Sequence, residues 1–530
     1  MKKNKLVFIL ILFISIVLRF YQLGVNPPSL DWDEASLGYN AYHLLKTGSD
    51  EFGVKWPLAI RSFGDYKPPM YVYLTIPPVA IFGLTEVAVR LPSAILGVLT
   101  VIVTFFLVKE LFQREDLALL SMFFLSISPW HIQFSRIAFE ANIGLFWFVT
   151  GVWLFLKGTK KGSFLILSAI SFSFSLYSYH SSLLVTPLLL IGLAWHFRRQ
   201  LWEKKQYCFL AFLTGALVIF PLIGLFFSGA GQTRFSSVSV FSSPGLLDRS
   251  IREIEQDAAR GFPFGFLIHN RRIIYTLSAL KGYMDHWNFD FLFLRGDGPG
   301  RHHAVNMGML YLWDFPFLLA GIYWLLKEKG KNAFPLFWWF LVAPAASAIS
   351  TGTPHAVRAL LYLPTVQIFT AYGVLKAVRV ASKEKLWRKA FLPLISTLLV
   401  VNIFYYLHQY YVHTPIEYAR DWLYGYKQMV KAVNQVEDEF DKIVVTKFYD
   451  QPYIYFLFYN RLDPNKYKND GTYYLSFGKY EFRRIDWGRD QKLEKTLIVG
   501  TGEEIPEGAR PLKAQINFPN GEVAFRIVGQ

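Results

Sequence analysis

"KLVFILILFISIVLRFYQL" (residues 5–23) runs almost directly into "NPPSLDWDEASLGYNAYHLLKTG" (26–48). The first stretch is apolar after a basic start and long enough to cross about 30 Å of hydrocarbon at about 1.5 Å per residue. The second places Asp31, Asp33 and Glu34 just beyond that helix. One capping carboxylate is enough to start a helix, so the extra charge asks for a second role. On the capping reading alone, Asp33 is the N-cap and Glu34 favours the positive end of the helix dipole. Leu37, Ala41, Leu44 and Leu45 then form the buried face.

The rest of the chain extends the membrane reading. Of its 530 residues, 53% are hydrophobic and only 18% charged, whereas soluble domains carry about a quarter charged residues. The first apolar segment has no small-residue cleavage site behind it and reads as a retained helix. Apolar runs near 6–23, 88–112, 117–135, 141–157, 163–178, 181–197, 207–228, 309–326, 333–350, 356–378 and 389–409 give about eleven crossings. The basic loops between them, such as "KGTKKG" (157–162) and "RRQLWEKK" (198–205), are expected in the cytoplasm. The net charge of +16 is spread over such loops, which argues against a nucleic-acid partner. The single cysteine, Cys208, excludes an intrachain disulfide.

This count predicts a cytoplasmic N-terminus and two long external loops, 24–87 and 229–308, in a plasma-membrane protein. "PPMYVYLTIPPVAIFG" (68–83) is short and split by Pro77-Pro78, so it reads as a helix at the outer interface, where Tyr71 and Tyr73 suit the depth. Residues 1–410 form the transmembrane part. Residues 411–530 change character: a polar helix candidate, "DWLYGYKQMVKAVNQVEDEF" (421–440), precedes β-like runs, and "FPNGEV" (518–523) is a hairpin signal. The expected fold is therefore an α-helical polytopic membrane protein with a small external α/β domain.

Ionisable residues gather on the external side. "GDYKPPMYVYL" (64–74) carries Asp65 and Lys67, a cation against the orientation rule. "RIAFEANIGLFW" (136–147) carries Arg136 and Glu140, which equally suit a structural ion pair. "HAVRALLYLP" (355–364) carries His355 and Arg358, and "LRGDGPGRHHAVNMGMLY" (294–311) carries Arg301, His302 and His303. Mixed acids and cations at the water interface suit a substrate with a lipid tail and an anionic head: cations hold phosphate, and a carboxylate serves as general base toward a hydroxyl.

The sequence "DWDEASLGYNAYHLLKTG", then the Lys67-Pro68-Pro69 motif, then "EVAVRLPSAILGVLTVIVTFFLVKELF" (86–112) resembles the GT-C glycosyltransferases of family 39, the protein O-mannosyltransferase and aminoarabinose transferase type. The resemblance covers 26–112 in motif and about 1–410 in architecture. It implies about 11–13 membrane helices, a polyprenyl-monophosphate sugar donor and inverting transfer to a hydroxyl of a protein, lipid or glycan. Asp33 matches the family's catalytic acid, with Glu34 in support. Lys67 then holds the donor phosphate or orients the carboxylates, and Arg358 and Arg136 stabilise the leaving phosphate. Asp65, Glu140, His302 and His303 complete the candidate substrate-binding set. A metal is not required; Mg or Mn, if bound, is expected on Asp31 and Asp33. The rival readings are a flippase or transporter of lipid-linked sugars, which places charges at the bilayer midplane, and a metal-dependent oligosaccharyltransferase.

Overall fold

The computed structural model describes residues 2–227, 239–328, 330, 332–385, 387–465 and 471–530. The start of the long loop expected at 229–308 and positions 329, 331 and 386 of the basic loops lie outside these residues. Each stretch expected to cross the membrane is helical in whole or in part. Among the described residues, four helices are long and apolar enough to span by themselves: Glu86–Phe112, Glu140–Lys160, Lys205–Gly224 and Trp387–Glu417. A fifth follows if Glu115–Ile127 and Pro129–Ser135, bent by 60°, form one span. The bend falls at Pro129, which has no N–H for the preceding turn, while the Ser128 hydroxyl takes the His131 N–H. The expected run at 356–378 begins as turns and a short 3-10 helix, Leu360–Tyr362, and its α-helix starts only at Thr365.

Helices Asp314–Glu328 and Thr365–Ala381 meet backbone to backbone. A Cβ at Gly321 would lie 1.9 Å from the Phe369 carbonyl oxygen, and one at Gly373 the same distance from that of Phe317. Small residues at a crossing are how apolar helices approach closely without a hydrophobic drive.

The segment after the first helix does not float at the interface. Helix Trp32–Thr47 is buried over most of its length, and helix Met70–Phe82 rests on it. Tyr71, expected at the lipid interface, is fully buried and donates to the Val89 carbonyl at 2.9 Å. Tyr73 donates to the Pro57 carbonyl and stacks on Trp56. Between the two helices a small hairpin pairs β1 (Ile60–Ser62) with β2 (Asp65–Lys67). Its two turn residues, Phe63 and Gly64, both have positive φ, 54° and 78°, as the favoured two-residue hairpin turn requires.

The C-terminal region is a six-stranded mixed sheet of β3 (Lys442–Val445), β4 (Ser476–Phe477), β5 (Tyr480–Phe482), β6 (Thr496–Gly500), β7 (Leu512–Asn517) and β8 (Val523–Gly529), in the order β4-β5-β3-β6-β8-β7. β7 and β8 form the hairpin expected around Asn520-Gly521. An apolar helix, Pro452–Tyr459, joins this sheet to the first long loop. Its Tyr455 hydroxyl donates to the Leu30 carbonyl, and its Phe458 ring covers Gly38, where a Cβ would come within 2.7 Å. Leu37 and Ala41 therefore share one core with Tyr453, Ile454 and Phe525.

Candidate active site

The helix carrying the acidic motif starts two residues earlier than the sequence suggested. Asp31, not Asp33, is the N-cap: its Oδ1 accepts the Glu34 N–H at 2.8 Å, and Glu34 Oε2 accepts the Asp31 N–H at 3.3 Å. This reciprocal box satisfies two of the helix's open donors. Asp33 is released from capping and its carboxylate faces a cavity of about 400 Å³. Leu37, Ala41 and Leu44 are buried as expected, but Leu45 lies off their stripe and is 39% exposed.

Lys67 reaches the same cavity from β2, and its ammonium donates to Asp33 Oδ1. Pro68 explains the placement: a residue before proline is forced toward extended backbone, so Lys67 ends the strand and helix Met70–Phe82 begins just after Pro69. Burial acts to lower the Lys67 pKa, but the Asp33 and Glu140 carboxylates more than reverse that, holding the ammonium above its ordinary value.

Glu34 points the other way. It forms a fully buried fork with Arg90, which donates from Nε to Oε1 and from Nη2 to Oε2, both at 2.9 Å. Arg90 also donates to the carbonyls of Leu23, Pro27 and Ser29, and Glu34 accepts the Ala138 N–H at 2.8 Å. The five donors of a guanidinium in a fixed plane suit this task. Glu34 and Arg90 thus hold the chain between the first two helices.

The far wall of the cavity carries Arg301, His302, His355 and Arg358. Arg301 donates to Asp31 Oδ2 at 2.8 Å and lies over the Trp32 ring. Burial pushes the Asp31 carboxyl up to about 7, with Arg301 opposing the shift. Arg358 donates to the Ser350 hydroxyl and the Thr351 carbonyl. Behind this wall, Asp297 Oδ2 contacts His302 Nδ1 at 2.6 Å and accepts the Ala356 N–H at 2.8 Å. Burial acts to raise the Asp297 pKa, and His302 with that amide outweighs it, so the carboxyl stays below its ordinary value. His355 is held well below the usual imidazole range, by burial first and then by the Arg358 and His302 charges.

Among the described residues, Asp297, His302 and His355 are the cluster able to hold a metal, with ligand atoms within 4.8 Å of one another. Asp297 Oδ1 and His355 Nδ1 are buried without a hydrogen-bond partner, so the group fits a cation. Two imidazoles and a carboxylate suit zinc better than Mg or Mn. On Asp31 and Asp33, the place given above for Mg or Mn if one is bound, both Asp31 oxygens and one Asp33 oxygen are taken by the Glu34 N–H, Arg301 and Lys67.

The cavity brings together Asp33, Asp65, Lys67, Glu140, Arg301, His302, His355 and Arg358, all singled out in the sequence. It leaves out Arg136 and His303. Arg136 forms no ion pair with Glu140. It is fully buried, donates to the carbonyls of Leu18, Tyr21 and Asn26 and to the Tyr410 hydroxyl, and so ties the first helix to the chain near 410. His303 bonds the carbonyls of Ala304 and Asp297 and shapes the glycine-rich turn. Asp297 was passed over because it reads as one turn residue in "RGDGPG"; its partners His302 and His355 lie on two different loops.

With that geometry in place, comparison with known proteins is informative. Residues 66–224 match the family model described as Dolichyl-phosphate-mannose-protein mannosyltransferase. Over this segment the chain is similar to that family. Lys67 and Arg90 lie within the matched segment, and Asp33 and Glu34 lie more than thirty residues before it. An uncharacterized protein of Aquifex aeolicus (strain VF5) is 25% identical over 368 residues, which is 69% of this chain and 63% of that protein. ArnT from Cupriavidus metallidurans has a similar fold: in the apo state the TM-score is 0.54 at 13% identity, covering 98% of this chain and 97% of that one. ArnT bound to undecaprenyl phosphate gives 0.52 at 13% identity, over 99% and 97%. The apo oligosaccharyltransferase of Archaeoglobus fulgidus gives 0.51 at 13% identity, over 94% of this chain and 70% of that one. The chain is therefore a multi-pass membrane protein of ArnT-like fold, mostly helical with a C-terminal mixed sheet.

Proposed function

We propose that the protein transfers a sugar from a polyprenyl-monophosphate donor to an acceptor hydroxyl at the external membrane face, in a single displacement with inversion. The observation that carries this reading is the Asp33–Lys67 pair, which opens into a cavity also lined by Arg301 and Arg358. Asp33 takes the proton of the acceptor hydroxyl as its oxygen bonds to the anomeric carbon. The bond from that carbon to the phosphate oxygen breaks, and the polyprenyl phosphate leaves with the electron pair. Lys67, with hydrogens to spare beyond the one given to Asp33, and the two arginines receive the charge by charge-assisted hydrogen bonds. Asp65 and Glu140, which line the same cavity, orient the acceptor. The charged residues of the cavity lie in loops, in the β1–β2 hairpin or in the first turn of a helix rather than midway along an apolar span, which favours transfer over a flippase.

Asp297, His302 and His355 are the residues that hold a divalent cation in this proposal. Such a cation supplies positive charge beside the wall that carries Arg358. The experiment that tests the reading offers purified protein a panel of polyprenyl-phosphate sugars with hydroxyl acceptors and follows products by mass spectrometry. Release of polyprenyl monophosphate together with a glycosylated acceptor is expected. Movement of intact donor across a vesicle membrane with no product would favour the flippase instead.

A further inference from the structure

The cavity does not absorb one large feature, the run of exposed apolar side chains between residues 240 and 285. Two amphipathic helices, Pro244–Ala259 and Arg271–Asp285, are joined through "GFPFGFLIHN" (261–270). In the connection Phe262, Phe264, Phe266, Leu267 and Ile268 are all exposed, three of them at 55%. On the second helix Ile273, Leu277, Leu280 and Met284 recur at helical spacing and are exposed as one stripe. The face opposite, with Ile274 and Gly282, is the one buried against the protein. Soluble surfaces rarely expose a contiguous apolar patch this extensive, and one that does marks a partner or a membrane.

The surroundings decide between those occupants. Helix Arg271–Asp285 lies across the end of the apolar segment Ala333–Ala348. Tyr283 donates to the Leu341 carbonyl at 2.8 Å, and Gly282 rests on the Ala348 carbonyl, where a Cβ would come within 2.5 Å. Leu341 is itself 48% exposed on that apolar segment, so the stripe continues a lipid-facing surface. Arg271, Arg272 and Lys281 are exposed at the helix's start and flank, as snorkelling cations are beside headgroups. We propose that residues 262–284 seat in the leaflet on the cavity side, with the phenylalanine-rich connection and the 273–284 stripe among the acyl chains.

The seat has a consequence for the cavity wall. At the helix's end, Asp285 accepts the Thr353 hydroxyl at 2.7 Å, and His286 Nε2 accepts the His355 N–H at 3.1 Å. The loop that carries His355 and Arg358 is thus fastened to a membrane-seated helix, so the cavity wall keeps a fixed height above the leaflet.

Site-directed spin labelling in vesicles tests the seat without reference to activity. In a Cys208→Ser background, single cysteines replace Phe266, Leu277 or Leu280, and Gln256→Cys, an exposed position on the polar face of the first helix, is the control. The full-length protein is reconstituted in phosphatidylcholine vesicles. Collision with oxygen, which concentrates in lipid, and with a water-soluble nickel chelate is then measured. Oxygen dominating at 266, 277 and 280, with nickel dominating at 256, is the expected result. Nickel dominating at 277 and 280 overturns the proposal in favour of a free water-exposed face. Shielding of those positions from both reagents overturns it in favour of a protein contact, such as a second copy of this chain.

Discussion

Two adjacent carboxylates, Asp33 and Glu34, meet two cations in opposite environments. The Asp33 side chain is 35% exposed and pairs with Lys67 at the cavity. Glu34 is fully buried and forks with Arg90, which also holds three backbone carbonyls. The first pair is single-pointed and open to water, so either partner can be drawn to another group. The second has every neighbour accounted for and no access. Low dielectric makes breaking the second pair costly and leaves the first free for chemistry. On the proposed function, neighbouring residues of one charge type thus divide architecture from reaction.

Breaking the buried fork should give the largest stability effect. Arg90→Ala leaves Glu34 as an unpaired buried charge, a change that costs about 3–5 kcal/mol, and the thermal midpoint in detergent should fall with all function lost. Arg90→Lys should fall nearly as far, because an ammonium cannot reproduce the fork. A normal midpoint in both variants would erase the contrast. Next in size is Lys67→Ala. The donor phosphate loses a charge-assisted partner worth about 1.5–3 kcal/mol, so donor use should weaken roughly ten- to hundred-fold, with the midpoint nearly unchanged. If instead the midpoint falls as it does for Arg90→Ala, the open pair is structural as well.

The smallest effect concerns the wall. Burial, Arg358 and His302 depress the folded pKa of His355 below its unfolded value of 6.5. The unfolded chain therefore binds the extra proton first. The stability this neutral imidazole contributes is fully present above about pH 6.5 and is lost as pH falls below it. The thermal midpoint should decline on acidification from pH 7 to 5, and more shallowly in His355→Gln. Equal slopes would show that His355 carries none of the effect.

Much of this division was legible in the sequence. An acidic pair after a first membrane helix, Lys67 before two prolines and Arg90 before Leu91-Pro92 were all visible in order. Which acid met which cation was not legible, because it depends on the helix starting at Trp32 rather than two residues later. The β1–β2 hairpin was missed because its strands are three residues each, too short for alternation to register. Arg136 misled because Glu140 follows it closely, while its actual acceptors are carbonyls more than a hundred positions away. The helix Pro452–Tyr459 was missed for a related reason. Its "PYIYFLFY" has no polar face to give a period, because the sheet covers one side and the first loop the other.

The most direct test of the central claim is turnover of Asp33→Asn at saturating donor and acceptor, with the thermal midpoint measured on the same sample. The change keeps the shape and removes the proton acceptor, and Asp31 remains as the cap. The account predicts an unchanged midpoint and a loss of turnover of about 10²- to 10⁴-fold, the usual contribution of a positioned base. Near-normal turnover with an intact fold would contradict it, and the base would then have to be sought at Asp65 or Glu140, which line the same cavity.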